Sequence, residues 1–305
     1  MVATEDIRIP SSRHPNFRIA LTLYKSQAPA GLSPCPVIIM GHGIGAIKAG
    51  GIPTFAAAFA AEGYHAVAFD YLHFGDSDGE PRNLMSVAGE LQDFRDVFAW
   101  VRQRPEMFDS ERIVVWGSSF GGMHVTALLA EDHSIAAGIA QCPCVDGFAA
   151  VTKAPLMTSL RLSVAAISDT FAGLLGRQPV YIPLISDGQP GSPMALMMGE
   201  EVIEGWKRIT PEGVDFPNMI TARSLLSFST SRPVLNIHAS TRPYLVVLPT
   251  WDHQAPLEAA EKAVFRAPRG EALRVDGGHF DLYPGGIAFR KNITGQLAFL
   301  KRVLK

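Results

Sequence analysis

One short stretch constrains this chain more than any other. Ile113-Val114-Val115-Trp116 is apolar and largely β-branched, Gly117-Ser118-Ser119-Phe120-Gly121 follows at once, and Met123 to Ala130 reads as a helix. Strand, G-x-S-x-G, helix is the context a nucleophile elbow requires. The turn is sharp enough to hold its serine in a strained backbone conformation, and glycines on either side avoid the collisions a Cβ would cause there. Ser119 is therefore expected at the end of a strand and the start of a helix, with the helix dipole and the Phe120 N–H facing any negative charge that forms beside it. A glycine-rich turn after a strand is often no more than a turn, so the reading depends on partners elsewhere in the chain.

The chain on both sides alternates. Phe17 to Lys25 has strand periodicity and is expected to be antiparallel at the sheet edge. After a Pro/Gly-rich connection over 28–36, Val37 to Met40 is a continuous apolar run, as in a strand buried on both faces. Thr54 to Glu62 reads as a crossover helix, Ala66 to Phe69 as a strand, and Glu90 to Arg102 as an amphipathic helix with Leu91, Phe94, Val97, Phe98 and Val101 on one face. Ile135 to Cys142 is a further short strand. This order predicts an α/β fold with a mostly parallel central sheet flanked by helices. With 305 residues, 47% of them hydrophobic, the chain can bury a large core.

From Val145 to about Arg242 the alternation stops. The segment is rich in Pro, Gly and Met, with helical stretches expected over 156–175, 195–208 and 218–229. Its length suits an inserted helical cap, dividing the chain into core (1–144), cap (145–242) and core again (243–305). Its methionines would suit a flexible apolar substrate, although each could equally pack the cap's own interior. Tyr244 to Leu248 then resumes the sheet, a helix is expected over 257–265, Ala272 to Val275 is the last strand, and 287–304 is a terminal helix.

Two residues beyond the cap complete a constellation. Asp252 follows the strand ending at Leu248, and His279 lies in Gly277-Gly278-His279-Phe280 after the last strand. Ser119, Asp252 and His279 stand in the order nucleophile, acid, base, each just past a strand, so one sheet edge would gather them. A serine hydroxyl needs a neighbouring base to take its proton, which His279 can do, and Asp252 would fix the tautomer and stabilise the imidazolium. Asp146 is the alternative acid, while Asp281 is too near His279 along the chain for easy orientation. The loop Gly41-His42-Gly43-Ile44-Gly45-Ala46 also has two readings. As G-x-G-x-x-A it resembles a dinucleotide fingerprint, with Asp70 ending the next strand; as a His-Gly turn it offers the Ile44 N–H as the second oxyanion donor beside Phe120. The histidine between the glycines and the elbow one βαβ unit later favour the second reading. His42, His124 and His253 are expected to be supporting residues.

With 27 Lys+Arg against 29 Asp+Glu and no basic run, nothing points to nucleic acid. Cys35, Cys142 and Cys144 are too few for a disulfide framework, and Cys142-Pro-Cys144 has no second cluster to make a metal site. A soluble, cytoplasmic protein without metal or cofactor is expected, acting on a small-molecule acyl substrate; no membrane-length apolar run is present.

With these residues in hand, the chain from Val37 to Leu304 resembles the α/β-hydrolase superfamily. Phe69 to Arg82, Trp116 to Gly122 and Gly278 to Tyr283 are similar to the fungal polyketide transferase/thiohydrolase group and its bacterial relatives. The resemblance implies release or transfer of a polyketide acyl chain through a serine acyl-enzyme, with an acyl carrier domain of a polyketide synthase as the donor. Trp251-Asp252-His253-Gln254 departs from the Gly/Glu-x-Asp turn expected there. Two rivals share the fold: a cofactor-free lyase, cyclase or C–C hydrolase in which Ser119 only binds substrate, and a non-enzymatic small-molecule receptor.

Overall fold

A computed structural model describes residues 2–28, 34–214 and 216–305; most of the connection expected over 28–36 lies outside them. The chain opens with an antiparallel hairpin, β1 (Thr4–Pro10) and β2 (Arg18–Tyr24), and continues through β3 (Cys35–Gly41), α1 (Pro53–Ala61), β4 (His65–Phe69), α2 (Val87–Arg102), β5 (Phe108–Ser118), α3 (Phe120–Glu131) and β6 (Ala137–Gln141). The apolar runs are buried on both faces along β3, β4 and β6, as central parallel strands must be. Helix α2 starts where Ser86 Oγ accepts the Gly89 N–H at 3.2 Å, and it buries Phe94, Val97, Phe98 and Val101 against the sheet.

Between β6 and β11 (Tyr244–Pro249) lie α4 (Gly147–Lys153), α5 (Leu156–Leu174), α6 (Glu200–Ile209) and α7 (Ser224–Thr230), with two small strand pairs. One pair is β7 (Tyr181–Ile182) with β10 (Ile220–Thr221), the other β8 (Ile185–Ser186) with β9 (Met197–Met198). Two helices here are shorter than the sequence predicts. The one expected over 195–208 begins only at Glu200, because Gly199 at φ 136° turns the chain out of β9. The one expected over 218–229 begins at Ser224, because Asn218 is drawn off to bond the backbone of Leu184 and Ile185. The chain ends with α8 (Leu257–Arg266), β12 (Gly270–Val275) and α9 (Phe289–Val303).

Among the described residues the main sheet has eight strands in the order β1-β2-β4-β3-β5-β6-β11-β12, parallel from β4 to β12. The strand expected over 17–25 is antiparallel, as predicted, but it is not the edge. The edge is β1, which is mostly exposed and turns inward only at part-buried Ile7 and buried Ile9. Register fixes where the loops meet. Gly41 pairs with Gly117, Ser118 with Gln141, and Gln141 with Val247, so the loops after β3, β5, β6, β11 and β12 open side by side at one sheet edge. No helix among the described residues is long and apolar enough to cross a membrane.

Candidate active site

Ser119 has φ 54° and ψ −116°, a conformation that L-residues avoid. The surrounding sequence permits it. A Cβ on Gly117 would lie 2.2 Å from the Gly121 carbonyl oxygen, and one on Gly121 would lie 2.6 Å from that of Gly41. Strand and helix therefore touch backbone to backbone, and the turn is locked by the Ser119 N–H donating to Gln141 O at 2.8 Å. Beside it runs the His42-Gly43-Ile44 loop, so close that a Cβ on Gly43 would stand 3.3 Å from Ser119 Cβ and 3.9 Å from its Oγ. The backbone N–H groups of Ile44 and Phe120 donate no hydrogen bond among the described residues, and both residues line the space around Ser119.

The loops after β11 and β12 bring Asp252 to His279. His279 Nδ1 stands 2.8 Å from Asp252 Oδ2, with both side chains almost wholly buried. Asp252 Oδ1 accepts the N–H groups of Gln254 and Ala255 at 2.8 and 2.9 Å. Burial alone would raise the Asp252 carboxyl; the imidazole and these two donors outweigh it and hold the group below its ordinary value. For His279 burial, the largest single influence, works downward; the charge and hydrogen bond of Asp252, joined by Cys142, together outweigh it, and the net is an imidazole well above its ordinary value. His279 Nε2 shares a small space with Ser119. It forms no hydrogen bond to the Ser119 hydroxyl; its near polar neighbour is Cys142 Sγ at 3.8 Å.

The alternative residues are placed elsewhere. Asp146 caps α4 through the Ala149 N–H and takes a two-pronged pair from Arg232 at 2.9 Å on each oxygen. Asp281 bonds Arg208 and the Gly278 N–H. Asp70 is buried against Lys48 Nζ at 2.9 Å and accepts the N–H groups of Lys48 and Asp76, so it fastens the His-Gly loop to the loop after β4. That is a structural clamp and not the free acid of a ribose site. His42 Nδ1 meets Gly43 O at 2.9 Å, and burial pushes its imidazole down to about 4, leaving it neutral.

Comparison with known proteins gives the family. Residues 12–170 match the X-Pro dipeptidyl-peptidase (S15) family. The quorum-quenching protein AidA of Acinetobacter baumannii is 35% identical over 269 residues, 88% of this chain and 87% of that one. The chain belongs to the S15 family of α/β-hydrolases. A polyketide transferase of Stachybotrys chlorohalonatus is 30% identical over 298 residues, 93% of this chain and 94% of its own. The crystal structure of the α/β-hydrolase GrgF from a Penicillium species superposes with a TM-score of 0.82 at 23% identity, covering 99% of each chain.

In this S15-family hydrolase a cavity of about 170 Å3 opens from Ser119 between α4, α5, α7 and β9. Its wall carries Phe120, Leu162, Met197, Met198 and Phe228, with the hydroxyls of Ser159 and Ser163, and among the described residues no charged side chain. Of the methionines over 145–242, Met197 and Met198 reach it, while Met157 and Met219 face outward. A second, much smaller space, about 20 Å3, lies between Ser119 and His279 and is closed by Trp206, Ile209 and Phe280.

Three groups near this hydrolase's site have contacts that sequence reasoning does not give, although it expects His124 to be a supporting residue. Cys142, read from sequence as a small core residue, sits at φ 37° and places its sulfur between His279 Nε2 and Ser118 Oγ, 3.6 Å from the latter. Ser118 Oγ also meets the Tyr283 hydroxyl at 2.6 Å and accepts from Gln141 Nε2 at 3.1 Å; Gln141 is held in turn by Asn292 and Gln296. Behind the elbow, His124 Nε2 faces buried Glu90 at 2.8 Å. Burial raises Glu90 well above its ordinary value and lowers His124 to about 3, so the pair is held as a neutral acid donating to a neutral imidazole. None of these contacts joins neighbours in sequence. The one local signal was the strand end at Gln141-Cys142, where a turn residue was due.

Proposed function

We propose that this protein is a serine ester or thioester hydrolase, or an acyltransferase, working through Ser119, His279 and Asp252. The observation that carries the reading is the strained Ser119 opening onto the same small space as a His279 whose far nitrogen is held by buried Asp252. Ser119 Oγ attacks the acyl carbonyl carbon while its proton passes to His279 Nε2. The oxyanion takes the N–H groups of Ile44 and Phe120. Collapse expels the alcohol or thiol, which recovers the proton from His279, and water or another acceptor repeats the sequence on the acyl-enzyme. His279 forms no hydrogen bond to the Ser119 hydroxyl, and a bound substrate is expected to tighten that contact.

The acyl part occupies the uncharged cavity. An apolar chain bearing hydroxyl or keto groups, as in a polyketide, suits walls that combine leucine, methionine and phenylalanine with a few serine hydroxyls. A donor thioester carried by a synthase carrier domain falls within this reading, as does a small diffusible ester, which the quorum-quenching name of the Acinetobacter relative keeps in scope. An X-Pro peptide fits poorly, because its free ammonium would enter a cavity with no carboxylate on its wall. A second reading rests on the Cys142 contact. With His279 Nε2 beside Cys142 Sγ and not bonded to Ser119, His279 acts directly on substrate as an acid–base group, in lyase or cyclase chemistry.

Intact-protein mass spectrometry separates the two. After brief exposure to short and long acyl thioesters, aryl esters and an X-Pro anilide, wild type is expected to gain one acyl group from the thioesters and esters, and Ser119→Ala none. Equal substrate consumption by both proteins, with no adduct, would replace the acyl-enzyme reading by the lyase one.

A further inference from the structure

The outer face of α5 carries an apolar stripe that none of the described residues covers. Leu156, Leu160, Val164, Ile167, Phe171 and Leu174 are each more than half exposed. Their steps of four, four, three, four and three residues average the helix period, so the stripe runs straight along the axis for about 27 Å. Met157 and Leu175 extend it at the two ends. The opposite face of the same helix does a different job: Thr158, Ser159, Leu162 and Ala166 line the cavity beside Ser119.

The pattern is symmetric about its own centre. Take the midpoint between Ala165 and Ala166 and reverse the chain direction. Val164 then falls on Ile167, Leu160 on Phe171, Met157 on Leu174 and Leu156 on Leu175. Every exposed apolar position meets an apolar one. A two-fold interface demands this self-complementarity, since each residue that contacts another must be contacted by it in return. Size agrees: eight such side chains offer on the order of 500 Å2 per copy, above what scattered surface residues provide and enough for two copies to reach the roughly 1,000 Å2 of a specific interface. Charge agrees too. Arg161 is the one charged residue on the exposed face, so the stripe lacks the basic flank of a membrane-surface helix and the charge pattern that selects an unlike partner.

We infer that α5 is the homodimer contact of this protein, packing antiparallel against α5 of a second copy across a two-fold axis between Ala165 and Ala166. The inference does not depend on the proposed chemistry. Its consequence is that dimerisation holds in place the helix that walls the substrate cavity.

Sedimentation velocity of the full-length protein from low micromolar to submillimolar concentration, with far-UV circular dichroism to verify folding, tests this. Wild type is expected to dimerise, and Leu160→Lys or Phe171→Glu to weaken the dimer at least about tenfold. The two changes are too far apart on one helix to pair within a chain, but across the axis residue 160 faces residue 171. The double variant, and an equimolar mixture of the two single variants, are therefore expected to associate again. A monomeric wild type overturns the inference, as does a dimer indifferent to these substitutions. A monomer that floats with phosphatidylcholine–phosphatidylglycerol vesicles, and loses that binding in Leu160→Lys, would assign the stripe to a lipid surface instead.

Discussion

At the scale of single residues, the electrostatics of His279 give the sharpest expectation. A base must be neutral to take a proton, and Asp252 holds this imidazole well above its ordinary value. Activity under kcat/KM conditions is thus lost as pH falls through an apparent pKa above 6.5. Asp252→Asn removes the charge that lifts His279 and leaves burial, which works downward, so the midpoint moves to lower pH. The same substitution unsettles the tautomer, and kcat is expected to fall by roughly 10³–10⁴. A pH–rate profile of both proteins checks the two effects together. An unshifted midpoint with near-wild-type turnover would show that Asp252 neither charges nor orients the base. Cys144 is not a rival for the nucleophile's role: burial pushes its thiol up to about 12, so it carries no thiolate at neutral pH.

At the scale of elements, the elbow works because β5 and α3 meet without side chains. Gly121→Ala would place a methyl 2.6 Å from Gly41 O and 2.7 Å from His42 O, both backbone atoms that cannot rotate away. The expected cost is about 1–3 kcal/mol of stability, with the strain released at the Ser119 turn and at the loop carrying Ile44. Thermal denaturation combined with turnover checks this: a variant that keeps its melting temperature and activity would mean that strand and helix are looser than their contact implies. The segment over 145–242 lacks such local contacts, and two helix starts there differ from the sequence reading. Helix boundaries over 145–242 depend on Gly199 and on the Asn218 side chain bonding a remote strand, and periodicity records neither.

At the scale of the whole molecule, the segment between β6 and β11 is fastened by a few buried polar ties. Asp169, fully buried in α5, accepts the Val180 and Arg223 N–H groups at 2.8 Å each and the Arg223 guanidinium at 2.9 Å. Asp169→Ala leaves three donors without their partner and is expected to cost about 1–3 kcal/mol for each donor that water cannot reach. The loss should fall on this segment first, so limited proteolysis is expected to cut within 156–223 while the sheet survives. Cleavage at the wild-type rate would show that α5 is held by packing alone. The ties also explain how α5 can bury one face on a cavity and leave the other bare without detaching.

What the sequence by itself determined was whatever is written in neighbouring residues. The strand–Gly-x-Ser-x-Gly–helix run fixed the sharp turn, because only glycines tolerate its backbone contacts. The apolar runs fixed a parallel sheet, because a strand buried on both faces has no polar side to alternate. Gly277-Gly278-His279 and Asp252, each just past a strand, were legible for the same reason. The sequence favoured Asp252 over Asp146 as the acid, and the tertiary structure put Asp252 against His279 while Arg232 and Arg208 draw off Asp146 and Asp281. It alone placed Cys142 against His279 across 137 residues, and Tyr283 against Ser118 across 165. It alone showed that the apolar stripe of α5 faces outward. A helical pattern states that one face is apolar; what covers that face is set by contacts between distant parts of the chain, and no local pattern encodes them.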